Sequence, residues 1–108
     1  MSETLLVRAI LQALQLKGVF CWRVNSGVTV LGAGKSKRVI RGAPAGTPDI
    51  IGALDGRMVA FEVKTETGRV LATQQRWHEK ATKHGVRVAV VRSVSQALAK
   101  VKEWREGA

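Results

Sequence analysis

Two acidic residues, Asp49 and Glu62, lie on opposite sides of a tight turn in the middle of this sequence. Asp55-Gly56 is the strongest short-range signal for a two-residue β-hairpin turn, and apolar runs lie on both sides of it. Counting outward from this turn places Asp49 directly opposite Glu62. Opposed residues have Cβ atoms about 4.5–5.5 Å apart, and like charges so placed destabilise a sheet. We therefore expect a positive group between the two carboxylates.

Lys64 adds an amine to this pair of acids. Side chains two residues apart on a strand project from one face, about 6.5–7 Å apart, so Lys64 lies beside Glu62 while Val59, Phe61 and Val63 take the other face. Carboxylates at this spacing suit Mg²⁺ or Mn²⁺, which also bind water and substrate phosphate. Such an ion activates water and neutralises charge on a scissile phosphate. The alternative is an exposed hairpin with a salt bridge between Lys64 and Glu62.

The charge balance favours a polyanionic partner. The 108 residues, expected to form one domain over 1–108, contain 18 Lys and Arg against 8 Asp and Glu, a formal charge of +10. Nucleic acid is the usual partner of so basic a protein.

A single cysteine, Cys21, excludes an internal disulfide and a cysteine-based zinc site, and we expect it to be buried. Without a signal peptide or a long apolar run, we expect a cytoplasmic protein that does not contact membranes.

The elements that must position the acids can be read along the chain. Ser2 is expected to cap a first helix that ends near Lys17-Gly18. After it come strands at 19–24, 28–31 and 38–41, the hairpin, a helix capped by Thr73, a strand at 86–92, and a last helix opened by Ser93 or Ser95. This order predicts an α/β fold, with one mixed β-sheet flanked by α-helices.

A basic loop joins the second and third strands. Gly34-Lys35-Ser36 resembles the end of a phosphate-binding P-loop, but that motif requires a glycine where Thr29 stands, so ATP binding is not expected. The loop is either an arm that contacts a nucleic-acid backbone or a plain surface turn. The residues expected to contact phosphates are Lys35, Lys37, Arg38 and Arg41.

The histidines and tryptophans of this sequence are expected to have structural roles. His78 and His84 are six residues apart, which does not match the spacing of helical zinc ligands, so both are expected at the surface or in packing. Trp22, Trp77 and Trp104 each lie on an apolar stripe or strand. We expect them to anchor the core rather than to stack on bases.

The same residues carry a family resemblance. Pro48-Asp49 followed by Glu62-Val63-Lys64 resembles the motif of the PD-(D/E)XK nucleases, and residues 46–98 resemble the VRR-NUC (virus-type replication-repair nuclease) branch in its compact, stand-alone, phage-associated form. The resemblance implies a restriction-endonuclease-like core and Mg²⁺-dependent DNA cleavage, with Mn²⁺ as a substitute. It also implies a homodimer that acts on branched DNA such as Holliday (four-way) junctions in DNA repair. If a phage or prophage encodes the protein, its expected place is the cytoplasm of the bacterial host cell.

The resemblance also assigns roles to single residues. Asp49 and Glu62 become metal ligands, the Val63 carbonyl becomes an additional ligand, and Lys64 becomes the catalytic lysine. Gln74 matches the glutamine of a Q-x-x-W element, and it is counted among the catalytic residues.

Two positions stay open at this stage. Gln75 competes with Gln74, although Gln74 shares a helical stripe with Trp77 and Ala81 that should face the sheet. Glu3 fits an acidic metal-ligand position on the first helix, yet an acid in a first turn is also favoured by the helix dipole alone.

The function expected is therefore a metal-dependent, structure-specific endonuclease that hydrolyses phosphodiester bonds in branched DNA. One alternative is a DNA-binding module that keeps the hairpin as a scaffold without catalysis. Another is a nuclease that acts on flaps or ends.

Overall fold

The computed structural model describes residues 1–26 and 28–107. The elements formed by these residues are α1 (Glu3–Leu16), β1 (Phe20–Arg23), β2 (Val28–Leu31), β3 (Arg38–Arg41), β4 (Ile50–Leu54), β5 (Arg57–Val63), α2 (Ala72–Lys83), β6 (Arg87–Val91) and α3 (Val94–Glu106). Four strands form a sheet in the order β1-β4-β5-β6. Its first three strands are antiparallel neighbours, and β6 runs parallel to β5. The α/β fold with a mixed sheet is therefore confirmed.

The hydrophobic core lies between one face of this sheet and the helices α1 and α3. Alternate strand residues such as Ile50, Phe61 and Val91 point into it, as strand geometry requires. Cys21 also lies there, as expected, and burial raises the pKa of its thiol. The opposite face of the sheet receives α2, so the side chains of β5 alternate between the core and α2.

The helix ends follow capping chemistry, with one correction. The Ser2 hydroxyl accepts a hydrogen bond from the Leu5 N–H at the start of α1, and the Ser93 hydroxyl does the same for Gln96 at the start of α3. Ser93, and not Ser95, therefore caps the last helix. The expectation that Thr73 caps α2 is wrong. The helix begins before it, with Leu71 as the N-cap residue.

The central hairpin forms in the expected register. Asp55 and Gly56 have φ angles of 52° and 77°, the positive values that a type I′ turn requires at both positions. The ladder runs from Leu54 opposite Arg57 to Ile50 opposite Phe61 without a bulge. Its continuation by one residue brings Asp49 opposite Glu62.

Strands β2 and β3 depart from the expectation of a single sheet. Among the strands that the structure describes, they pair only with each other, antiparallel, from Val28 opposite Arg41 to Leu31 opposite Arg38. Because β1 pairs directly with β4, the chain between them must leave the sheet and return to the same place. At the base of this excursion the Ala43 N–H donates to the Asn25 carbonyl over 2.9 Å. We call residues 28–41 the arm.

The arm lengthens the molecule. The structure measures 54 × 32 × 26 Å and has a radius of gyration of 15.1 Å, whereas about 13 Å is typical of a chain of this size. No helix in the part of the chain that the structure describes is long and apolar enough to cross a bilayer.

Candidate active site

Asp49 and Glu62 meet at the end of the central hairpin, on the face that α2 covers. The Val63 N–H donates a hydrogen bond of 2.8 Å to Asp49 Oδ2, which ties the Asp49 carboxylate to β5. Glu62 is only 2% exposed although it is acidic. The structure thus brings together the two acids that the turn and its register predicted.

Lys64 lies beside Glu62 and is also buried, at 7% exposure. The backbone N–H of Lys64 donates to the Val91 carbonyl over 3.0 Å, which fixes the end of β5 against β6. Beyond it, the Arg92 guanidinium donates to the carbonyls of Thr65 and Gly68, both at 2.6 Å. Arg92 therefore holds the turn that leads from Lys64 toward α2.

Helix α2 provides two polar groups that contact the Glu62 carboxyl. Gln74 Nε2 donates to Glu62 Oε2 over 3.4 Å, and His78 Nε2 lies 3.1 Å from Glu62 Oε1. Each carboxyl oxygen therefore has its own partner on the helix. The side-chain oxygen of Gln74 also accepts from the Leu71 N–H over 2.8 Å, so this residue holds the first turn of α2 as well.

The choice between Gln74 and Gln75 is decided by this geometry. Gln74 is half-buried and faces Glu62, whereas Gln75 is exposed and donates to Glu79 on its own helix over 3.4 Å. The side chain near the acids is therefore that of Gln74.

Sequence reasoning missed His78. Its spacing from His84 predicts a place at the surface or in general packing, but the structure buries it to 8% exposure against Glu62. A signal was present, because His78 follows Gln74 by four residues and so shares its helical face. His84, in contrast, is exposed at the end of α2, as expected.

The surroundings of Glu62 change its acidity. Burial, hydrogen bonding to the Asp49 carboxyl and repulsion by its charge raise the pKa of Glu62 to about 8, while Lys64 acts in the opposite direction. Burial, with the charge of Lys64, lowers the pKa of His78. At neutral pH without a metal, the Glu62–His78 contact is therefore a hydrogen bond between two uncharged groups rather than an ion pair.

A comparison with known protein families identifies the domain to which these residues belong. The family model described as the VRR-NUC domain matches residues 1–95. The chain belongs to the VRR-NUC family. No curated protein gives a significant match to the chain. VRR-NUC domains are nuclease domains, so this VRR-NUC domain has a nuclease-type function in DNA processing.

The donors in the VRR-NUC site fit a hard divalent cation. Asp49 and Glu62 offer carboxylate oxygens, and the Val63 carbonyl points to the same side as its N–H, toward Asp49. Pro48, which continues the register opposite Val63, has no N–H to donate to that carbonyl. Within residues 1–26 and 28–107 no three His, Cys, Asp or Glu side chains form a metal-binding cluster. Two carboxylates suffice for Mg²⁺, which completes its shell with water and substrate phosphate.

Glu3 lies at the edge of this site. It is exposed in the first turn of α1, and its charge makes the smallest contribution to the raised pKa of Glu62. The structure therefore places Glu3 near the two central acids without joining it to them in a three-acid cluster.

The basic residues and the tryptophans are distributed over other parts of the VRR-NUC domain. The four cations expected to contact phosphates are exposed on the arm, separate from the elements that hold the acids: Lys35, Lys37, Arg38 and Arg41. Trp104 packs against Phe61 in the core, with ring centroids 5.3 Å apart. Trp77 is half-buried on α2. The expectation for Trp22 is wrong, because its side chain projects from the open face of the sheet and is exposed.

Proposed function

We propose that this VRR-NUC domain is a structure-specific DNA endonuclease that depends on Mg²⁺, with Mn²⁺ as a substitute. The observation that carries the proposal is the convergence of Asp49, Glu62 and Lys64 on one sheet face, with both oxygens of Glu62 contacted from α2. Burying Glu62 beside a second, half-buried acid is costly, and a bound cation would relieve that cost. Structural acids on an exposed hairpin would need no such burial.

Each residue has a task in this proposal. Asp49, Glu62 and the Val63 carbonyl would hold the ion, which supplies Lewis-acid activation of water and charge neutralisation at the phosphate. Lys64 donates hydrogen bonds to the attacking water or to a phosphate oxygen, so it stabilises charge that develops in the transition state. Gln74 and His78 keep the Glu62 carboxyl in one orientation.

The test is cleavage of four-way, flap, nicked and linear DNA in Mg²⁺, Mn²⁺ or EDTA. We expect metal-dependent incision with four-way junctions preferred, and loss of incision in Asp49→Asn with DNA binding retained. Asp55→Asn is the matched control, since it makes the same change in the same hairpin at the exposed turn, where asparagine tolerates positive φ. Salt-sensitive DNA binding without incision in any metal would instead show a non-catalytic DNA-binding module, and preferential cutting of flaps or ends would replace the junction assignment.

We further propose that the protein acts as a homodimer. Paired incision of a four-way junction needs two active sites. The arm supports a second copy as its packing partner, because an isolated two-stranded ribbon is only marginally stable and its apolar side chains are about half exposed. These side chains are Val28, Val30, Leu31, Val39 and Ile40. Sedimentation showing a monomer at micromolar concentration with DNA bound would refute the dimer.

A further inference from the structure

Strand β1 presents two aromatic side chains on the open face of the sheet. Phe20 and Trp22 are two residues apart and so share a face, while Cys21 between them points into the core. Phe20 is 74% exposed and Trp22 is 49% exposed. Their rings meet edge to face, with centroids 5.5 Å apart and planes at 67°. We call this pair the aromatic platform.

The aromatic platform lies on the same face as the two acids. Trp22 pairs with Ile51, which is two residues from Asp49 and points to the same side. A backbone hydrogen bond also links the end of β1 to Asp49, because the Val24 N–H donates to the Asp49 carbonyl over 2.8 Å. Two strand residues span about 7 Å, and stacked nucleotides are spaced about 3.4 Å apart along one strand. Together with the spacing of about 4.8 Å between neighbouring strands, this places Trp22 about 8–9 Å from Asp49, the length of two to three stacked nucleotides.

Exposed large aromatic side chains beside a functional site indicate a binding surface. We propose that the aromatic platform stacks on an unpaired nucleotide of the DNA next to the scissile phosphate. The proposal rests on the nuclease function proposed above and narrows its substrate to DNA with unpaired or unstacked bases beside the cut. Base–aromatic stacking tolerates any sequence because every base has a π-face, which suits an enzyme that reads DNA structure.

Charge favours DNA over a protein as the occupant. The chain has a formal charge of +10, and beyond Met58 the face that carries the platform is bordered by exposed Lys80 of α2. Along the face from Phe20 to Met58 no acidic side chain intervenes among the strand residues described. A protein interface normally needs about 20–30 residues on each side, and one built here would also cover the approach to Asp49.

The experiment measures DNA binding in EDTA, so it does not depend on cleavage. Fluorescence anisotropy gives Kd for a labelled fork with single-stranded arms and for a closed duplex of equal length. We expect Trp22→Ala to weaken fork binding about tenfold and to leave duplex binding within twofold. Trp22→Phe, which keeps a stacking ring, should recover most of the affinity. Met58→Ala removes an apolar side chain from the same face without removing a ring, and it should change neither Kd.

A second readout uses the platform's own fluorescence. Single-stranded DNA should quench the tryptophan emission of the unaltered protein, and Trp22→Phe should lose most of that quenching while its circular dichroism stays unchanged. Equal weakening of fork and duplex binding by Trp22→Ala, or no weakening, would overturn the platform. So would a change of sedimentation in Trp22→Ala, which would assign this face to contacts between copies of the chain. A lack of metal-dependent incision with these binding differences intact would reject the nuclease function and leave the platform standing.

Discussion

The acidic site and the arm are both predicted from local sequence patterns for paired strands, but they differ in burial. Both are built on a pair of antiparallel strands, but Glu62 and Lys64 are buried against a helix, whereas β3 is exposed along its whole length. Catalysis requires atoms fixed to a fraction of an ångström, which buried hydrogen bonds provide. Phosphate contacts orient a protein on DNA and tolerate looser placement. The proposed function therefore assigns chemistry to the acidic site and substrate capture to the arm, and each variant is expected to affect one region and spare the other.

The largest effect is expected from Glu62→Gln. This change keeps the size of the side chain and its hydrogen bonding but removes the charge that a metal ligand needs. Since changes around a metal's ligands alone cost about 10–100-fold in affinity or activity, loss of a ligand should reduce cleavage by more than about a hundredfold. Single-turnover cleavage of a junction checks this, and the Kd for DNA in EDTA should stay within a factor of about two. Full cleavage by Glu62→Gln would contradict the site.

A smaller effect is expected at His78, which contacts Glu62 from α2. His78→Leu removes the Nε2 contact at 3.1 Å, so we expect metal affinity to fall about 10–100-fold. His78→Gln offers an amide that can restore the contact, and much of the affinity should return. Calorimetric titration with Mn²⁺ and the Mg²⁺ dependence of cleavage both report this. His84→Leu, at the exposed end of the same helix, is the matched control, and an equal loss there would mean that His78 acts only through helix stability.

How far the sequence predicts these two regions depends on how local the determining interactions are. The Asp55-Gly56 turn sets its own geometry, so counting from it correctly placed Asp49 opposite Glu62. The bounds of β2 and β3 were likewise predicted from short apolar runs.

Interactions distant in sequence were not predictable in this way. Whether β2 and β3 joined the main sheet depended on β1 pairing directly with β4, which no local pattern reveals. The burial of His78 depends on Glu62, sixteen positions away. The exposure of Trp22 depends on α2 leaving the β1 edge uncovered, while the Trp22 segment itself reads as an ordinary buried strand.

The affinity of the site for a metal ion should change about tenfold per pH unit. With its pKa raised to about 8 from an ordinary 4.5, folded Glu62 keeps a proton that the unfolded chain releases. Without metal, the contribution of Glu62 to stability is therefore largest at low pH, falls as the pH rises above 4.5, and is lost once the pH has passed through about 8. A metal must displace this proton, so its affinity should rise about tenfold per unit up to pH 8 and then level off.

The titration of His78 limits the pH range in which the effect of Glu62 on stability can be measured. Because its pKa is lowered from 6.5, the unfolded chain takes up a proton below that pH that the folded chain does not, which destabilises the fold there. Thermal unfolding in EDTA should therefore show the Glu62 effect between pH 6.5 and 8, and Glu62→Gln should flatten the curve. A curve of unchanged slope in that variant would assign the titration to another group.

The smallest effect per residue is expected on the arm. Replacing Lys35, Lys37 and Arg38 by alanine removes three exposed cations, so the slope of log affinity against log salt should fall by about one for each phosphate that is no longer neutralised. The cleavage rate at saturating DNA should stay unchanged, because none of the three lies on the elements that hold the acids. Lys17→Ala with Lys102→Ala removes exposed charge from α3 and the end of α1, and serves as the control. If that pair lowered the slope as much per charge, general attraction of the basic chain to DNA would explain the binding, and the arm would have no special role in capture.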